Sequence, residues 1–407
     1  MRSEIRTQHI LKKYDISRQT LYRWIKQGYI TEPERDWRNW RVWTKENLLE
    51  IESSIYNKNE CLNKQYIPND RGYFDINNRR YLGSKYKLLG FINDVVNNNC
   101  ENIESVADVF GGTGAVAKNF YEQRKSIIVN DILESNYLSY QTWFGDGDFD
   151  VDKIANIIDS FNELEVECDN YVSENFGGTY FSISNARKIG YIREEINKMK
   201  NSISEREYSA LITSLLYAMD KVANTCGHYD AYRRKLDSYE PLKLLIPNVS
   251  QNNNRNNRIY KADANELVRD IYADLVYIDT PYNSRQYGDA YHLLENIAKW
   301  EKPKVEGVAK KMIDRANIKS KYCTSKAPEA FEDLIDNINS RYILVSYNNM
   351  AQKGVGRSNA KISNEEIINI LQNKGIVEVF STDYKVFTAG KTNVDEHKEL
   401  LYLCRCY

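Results

Sequence analysis

The chain has 407 residues, enough for two domains and part of a third at roughly 100 to 200 residues each. Lys and Arg number 56 against 57 Asp and Glu, so a formal net charge of −1 excludes a polybasic protein and leaves any nucleic-acid affinity to local patches. A hydrophobic fraction of 42% excludes wholesale disorder, and no apolar run approaches the roughly 20 residues that span a bilayer, so no membrane partner is expected. Seven scattered cysteines without a Cys-x-x-Cys pair, and four unclustered histidines, argue against a disulfide framework or a metal site and fit a reducing cytoplasm.

Charge is uneven at the start. Residues 1–45 hold 11 Lys and Arg against 5 Asp and Glu. The apolar-periodic stretch HILKKY is followed by a second one, RQTLYRWIKQ, with Ser17 placed to cap it and Gly28 to stop it. Two short helices with a tight turn describe a helix-turn-helix, in which Arg18, Gln19, Thr20 and Arg23 occupy the reading helix. Downstream, DWRNWRVWT sets Arg38 and Arg41 among Trp37, Trp40 and Trp43, which suits a small β-wing with its cations toward phosphate. Thr44 then caps a further helix. This stretch resembles the winged helix-turn-helix head of the MerR type, which implies a DNA-binding domain over residues 1–57. Residues 58–78, polar and Asn-rich with Pro68 and Gly72, read as a linker.

The segment VADVFGGTGAVAKNF reads as a buried parallel strand, a glycine turn and a helix from Ala115. Gly111, Gly112 and Gly114 permit a tight turn and close backbone approach to a ligand, although the dinucleotide fingerprint is missing. A second apolar strand ends in Asp131, placed where a nucleotide fold presents an acid to ribose hydroxyls. Upstream, RRYLGSKYKLLGFI offers a glycine and a lysine before an amphipathic helix, able to contact the carboxylate of an amino-acid-bearing cofactor.

In DLVYIDTPYNSRQY an apolar strand runs straight into Asp279-Thr280-Pro281-Tyr282. A carboxylate and a ring at the carboxyl end of a parallel strand lie where open α/β sheets bind substrates. An amino group conjugated to an aromatic base is a poor nucleophile. A carboxylate and a backbone carbonyl that accept its two hydrogens localise its lone pair, while the tyrosine face stacks on an extruded base and its hydroxyl matters less.

Tyr81-Leu82-Gly83-Ser84-Lys85, Asp108-Val109-Phe110-Gly111-Gly112-Thr113-Gly114, Asp131 and Asp279-Thr280-Pro281-Tyr282 follow the motif order of the Dam-like, alpha-group DNA adenine methyltransferases, which the chain from about residue 79 onward resembles. Thr280 departs from the family's usual Asp-Pro-Pro-Tyr, which puts the rate rather than the reaction in doubt. The resemblance implies an α/β Rossmann-like class I methyltransferase sheet and S-adenosyl-L-methionine as cofactor. It assigns Tyr81, Gly83, Lys85, Asp108, Phe110, Gly112, Gly114, Asp131, Asp263 and Asp279 to cofactor binding, and Asp279, Pro281 and Tyr282 to catalysis. The implied partner is double-stranded DNA, with a cognate restriction endonuclease as a possible companion. A regulator with a vestigial methylase body, or a methyltransferase acting on RNA or on protein glutamine, remain alternatives.

Spacing locates an insertion. A strand-helix-strand unit takes about 30 residues, yet Asp131 and the next strand-end acid, Asp263, are 132 apart. The catalytic domain is therefore expected over residues 79–139 and 260–407, with a mostly helical insert at 140–259, the interval in which the family carries target recognition. Within it, Tyr232, Arg233 and Arg234 are the candidate DNA contacts. After the tetrapeptide, YHLLENIAKW reads as a helix, RYILVSYNNM as a strand and SNEEIINILQNKG as a helix with Ser363 and Glu366 as a capping box. IVEVFSTDYKVF and ELLYLCRCY read as a closing antiparallel pair.

Overall fold

Why the strands alternate between two cores is plain from the computed structural model, which describes residues 7–13, 21–22, 25, 30–36, 40–45, 47–48, 50–51, 72–236, 239–250, 254–348, 360–383 and 398–407. The chain divides into two compact units, Met1–Asp70 and Arg71–Tyr407.

In the first unit, helix Thr7–Lys13 contributes Ile10 to a small core with Leu21, Ile30, Trp43 and Ile51. The amide of Asp36 donates to the Trp40 carbonyl and that of Val42 to the Glu34 carbonyl, both at 2.8 Å, so residues 34–36 pair with residues 40–42. Arg18, Gln19, Thr20, Arg23 and Arg38 lie outside the described residues. Arg41 does not stand free for phosphate as the sequence suggests. Its guanidinium is 2.9 Å from Glu32 and lies over the Tyr22 ring.

The second unit opens with β1 (Tyr73–Phe74), which pairs in parallel with β4 (Ile246–Pro247). Phe74 and Ile76 are buried, so residues 72–78 belong to the folded body and not to the expected linker. There follow α1 (Leu89–Asn99), β2 (Ser105–Asp108), α2 (Ala115–Glu122), β3 (Ser126–Asn130) and α3 (Glu134–Phe144). Four helices come next: α4 (Val151–Glu163), α5 (Tyr171–Phe176), α6 (Ile183–Met199) and α7 (Glu205–Val222). Beyond β4 lie β5 (Arg258–Tyr260), α8 (Ala264–Leu267), β6 (Tyr272–Ile278), α9 (His292–Lys299), α10 (Ala327–Asn337), β7 (Asn339–Asn348), α11 (Asn364–Gln372), β8 (Gly375–Asp383) and β9 (Lys398–Cys406).

Seven strands form one sheet in the order β8-β9-β7-β6-β2-β3-β5. All run parallel except β9, which is antiparallel to both neighbours, so the expected closing pair is present. Alternate side chains feed opposite faces, as the two-residue strand period requires. Val276 and Ile278 of β6 join a core under α8, α10 and α11, while Leu275 and Tyr277 join the core under α1 and α2.

The helical insert is not a separate body. Its buried residues from α4 to α7 share one core with Leu138 of α3 and with Leu293, Leu294 and Ile297 of α9. The boundary expected at residue 140 therefore falls inside α3, because that helix packs one side on the sheet and the other on α7.

Candidate active site

Parallel strands end at a common edge, and four of them deliver acids there. Asp108 closes β2, Asp131 follows β3, Asp263 caps α8 just beyond β5, and Asp279 follows β6. All four line one cavity of about 1020 Å³ including its open mouth. Tyr81, Gly83, Lys85, Phe110, Gly112 and Pro281 line it as well.

The glycine turn owes its composition to what lies beneath it. A Cβ at Gly111 would sit 2.7 Å from the Tyr140 hydroxyl and 2.9 Å from Val129, and one at Gly114 would sit 2.7 Å from Ile76. Gly114 has φ +77° as the residue before α2, where it turns the chain, and is not among the residues that line the cavity. Gly112, at φ +53°, does line it, and the Tyr140 hydroxyl donates to its carbonyl at 2.8 Å.

Asp131 is largely engaged before any ligand arrives. It accepts from the amides of Gly112 at 3.0 Å and Leu133 at 2.9 Å and from the Asn136 side chain at 2.9 Å. With about four acceptor positions on a carboxylate, roughly one is left for a ribose hydroxyl. Burial pushes its carboxyl above the ordinary range, with those donors opposing. Asp108 is pushed further. Burial and the nearby Asp279 raise it to about 8, and its Oδ1 is buried without a hydrogen-bond partner among the described residues. Asp263 spends one oxygen on the Asn265 amide at 2.9 Å.

Lys85 is not aimed at a cofactor carboxylate. Its ammonium is buried 2.9 Å from Asp279 and 3.3 Å from Glu399, and it donates to the Tyr282 hydroxyl. Burial opposes that charge, but Asp279, Tyr282 and Glu399 outweigh it and hold the lysine firmly protonated. Burial pushes Asp279 up to about 6, with Lys85 opposing and Glu399 reinforcing the rise. Tyr282 does not line the cavity, and its ring stands edge-on to Tyr347 with centroids 5.3 Å apart. Its hydroxyl therefore has a partner that the sequence does not reveal.

Other contacts of the site are also invisible in the motifs. Tyr322 lines the cavity and meets Phe110 edge-on with centroids 5.1 Å apart. Asn130 ties the strand ends together, donating to the carbonyls of Val109 and Ala262 at 3.1 Å each. Tyr81 stacks on Tyr291 with centroids 4.4 Å apart, and Arg79 lies over both rings. Arg79 pairs with Asp220 of α7 at 3.2 Å and donates to Asn136 at 2.9 Å, which reaches Asp131 in turn. Of the expected DNA contacts in the insert, Arg233 and Arg234 are exposed. Tyr232 instead packs edge-on against buried Tyr180 with centroids 5.2 Å apart, because the insert's core claims its ring.

A mostly parallel sheet in this order, with acids at successive strand ends around one cavity and an Asp-Thr-Pro-Tyr turn at its rim, defines a Rossmann-like methyltransferase. Residues 81–356, more than half of the chain, match the D12 class N6 adenine-specific DNA methyltransferase model, and the chain belongs to that family. It is 37% identical over 344 residues to the modification methylase StsI of Streptococcus sanguinis, covering 80% of this chain and 51% of that protein. Identity to the type II methyltransferase M.NlaIII of Neisseria lactamica is 32%, over 78% of this chain and 95% of the relative. For M.FokI of Planomicrobium okeanokoites the figures are 32%, 74% and 48%. The chain thus spans about half the length of two of these relatives and nearly all of the third. Among the described residues, no helix is long and apolar enough to cross a membrane.

Proposed function

We propose that the chain is a site-specific DNA adenine methyltransferase that modifies the exocyclic amino group of an adenine turned out of double-stranded DNA, as the modification enzyme of a restriction-modification system. The observation that carries this reading is Asp279 at the carboxyl end of β6, lining the cavity beside Pro281 and within reach of Lys85. The names of the relatives, modification methylases and type II methyltransferases, support the restriction-modification context.

S-adenosyl-L-methionine fits the residues present. The unpartnered Oδ1 of Asp108 suits the ammonium of an amino-acid moiety. Asp131 keeps room for a ribose hydroxyl, while Phe110 and Tyr322 offer flat apolar walls to a base near Asp263. When bound, the cofactor supplies an electrophilic methyl group on a sulfonium. The chain's own residues do the rest. Asp279 accepts a hydrogen from the target amino group and the backbone carbonyl of the tetrapeptide accepts the other, so the lone pair leaves conjugation with the ring. Tyr282 offers a face to the extruded base, stacking worth roughly 1 to 3 kcal/mol against an unstacking cost of a few.

For the head, residues 1–57, we read a second DNA-binding element of winged helix-turn-helix type. Its local surplus of cations, the pairing of residues 34–36 with 40–42 and the Ile10-Leu21-Trp43 core support that reading. Arg233 and Arg234, exposed on the insert, are read as contacts of the catalytic body. Deleting the head should weaken duplex binding and flatten its salt dependence. An unchanged affinity and salt slope would assign the head another task.

The decisive test for the reaction is transfer of a tritiated methyl group to DNA, RNA and protein offered separately, with the DNA product digested and N6-methyladenine identified by mass spectrometry. Label in RNA or protein alone, or in no acceptor, would overturn the proposal.

A further inference from the structure

Glu399 lies at the start of β9, the antiparallel strand, opposite Asn348 at the end of β7. Because β9 runs against its neighbours, its first residues meet the edge at which the parallel strands stop. That edge carries Asp279, one residue beyond Ile278, which pairs with Val345 of β7. The topology therefore brings a residue 120 positions downstream of Asp279 to that carboxylate.

The local chemistry is unusual for a strand end. Glu399 is buried, as is Lys85, and the ammonium lies between two carboxylates, 2.9 Å from Asp279 and 3.3 Å from Glu399. Ser346 of β7 donates its hydroxyl to Glu399 at 2.9 Å and fixes the carboxylate in place. One ammonium is thus shared by two buried carboxyl groups in a desolvated corner. A buried ion pair between Lys85 and Asp279 alone would be neutral, and would spend the acceptor oxygens of Asp279 on its own lysine.

We infer that Glu399 is a positioning residue for methyl transfer: it holds the Lys85 ammonium away from exclusive pairing with Asp279, so that Asp279 keeps acceptor capacity for the target amino group. The inference rests on the reading of Asp279 as the acceptor of that amino group. Tyr282, whose hydroxyl also receives a hydrogen from Lys85, is oriented by the same device. The other titratable groups facing Asp279 are Tyr277 and Tyr287, both held neutral by burial, and Asp108. Glu399 is thus the neighbour that shares the Lys85 ammonium with Asp279 and raises Asp279, so its removal changes how Asp279 and Lys85 pair.

The test uses the full chain and a duplex DNA substrate, and follows the pH profile of kcat/KM in wild type, Glu399→Gln and Glu399→Asp. In Glu399→Gln, Lys85 collapses onto Asp279. The plateau should fall about 10- to 100-fold, as expected of a misplaced acceptor, while the acid limb moves down by on the order of half to one pH unit because an anion beside Asp279 has been removed. Glu399→Asp, which keeps the charge, should recover part of the plateau with the acid limb near its wild-type position. Cofactor affinity, measured by calorimetry in the same variants, should stay within about twofold, which separates misplacement at the acceptor from a damaged cofactor pocket. A fallen plateau with an unmoved acid limb in Glu399→Gln, or an unchanged plateau, would overturn the inference. If Glu399→Gln fails to fold, the Glu399→Asp profile decides, since loss of its plateau to the level of an Asp279 variant would mean that charge retention does not suffice. Wild type without DNA methylation would instead sink the reading of Asp279 itself.

Discussion

Removing Asp220 should damage both stability and cofactor affinity, because one buried chain of contacts serves both. The Arg79 guanidinium is buried and pairs with Asp220 at 3.2 Å, and the other oxygen of Asp220 accepts the Tyr229 hydroxyl at 2.7 Å. From Arg79 the chain continues to Asn136 at 2.9 Å and to Asp131 at 2.9 Å, at the wall of the cavity. Asp220→Ala leaves a guanidinium uncompensated where water cannot reach it, a loss of about 3 to 5 kcal/mol. Unfolding entropy near 2.1 cal/mol/K per residue gives a body of this size roughly 0.7 kcal/mol/K, so a loss of about 4 kcal/mol lowers Tm by about 6 °C. Arg79 also loses its anchor and with it the fixed position from which it holds Asn136, so affinity for S-adenosyl-L-methionine should fall by about tenfold, or 1.4 kcal/mol. Calorimetric melting and titration of the purified chain read both. The control is Arg79→Met with Asp220→Leu, which removes both charges and should cost less than the sum of the single changes. A loss under about 1 kcal/mol for Asp220→Ala, or strict additivity in the double variant, would refute the argument that this pair is buried and coupled to the cavity.

Gly111→Ala places a methyl 2.7 Å from the Tyr140 hydroxyl and should destabilise by about 1 to 3 kcal/mol in urea denaturation, the usual cost of overpacking. Thr280 is buried with its hydroxyl unpartnered among the described residues, so Thr280→Val should raise the unfolding free energy by about 1 kcal/mol and keep kcat within about twofold. A large fall in kcat would show that the hydroxyl meets the substrate. Asp108, raised to about 8, is mostly protonated at neutral pH. An acid raised in the folded state loses stability as pH climbs from its ordinary value toward 8, and pairing with a cationic ligand must expel its proton. Calorimetric titration at pH 7 in buffers of different ionisation enthalpy should therefore report proton release on cofactor binding in wild type and much less in Asp108→Asn.

The parts of the site that stand in short segments were legible in the sequence. Asp108, Asp131, Asp263 and Asp279 follow apolar runs, and a strand end is a local pattern, so their convergence at one edge follows from parallel packing. The helical insert could be read from the excess spacing between Asp131 and Asp263. What escaped depends on contacts between distant segments. Arg79 and Asp220 are 141 residues apart, and nothing near either marks the other. Glu399 opens an apolar strand as an ordinary solvent-facing acid would, and only the antiparallel course of β9 turns it inward. The glycines of the turn were read as permitting a tight turn and close approach to a ligand, and the packing of Gly111 on Tyr140 and of Gly114 on Ile76 adds a demand that no local pattern carries. Tyr282 was expected to act more by its face than by its hydroxyl, and Lys85 gives that hydroxyl a partner.

The most direct measurement is methyl transfer by Asp279→Ala set beside its cofactor binding. Asp279 lines the cavity but its proposed work is toward the target amino group, so S-adenosyl-L-methionine should bind to this variant within a few fold of wild type while transfer of a tritiated methyl group to duplex DNA falls by roughly 10² to 10⁴. Transfer at the wild-type rate by Asp279→Ala, with N6-methyladenine as its product, would contradict the assignment of that carboxylate and the mechanism built on it.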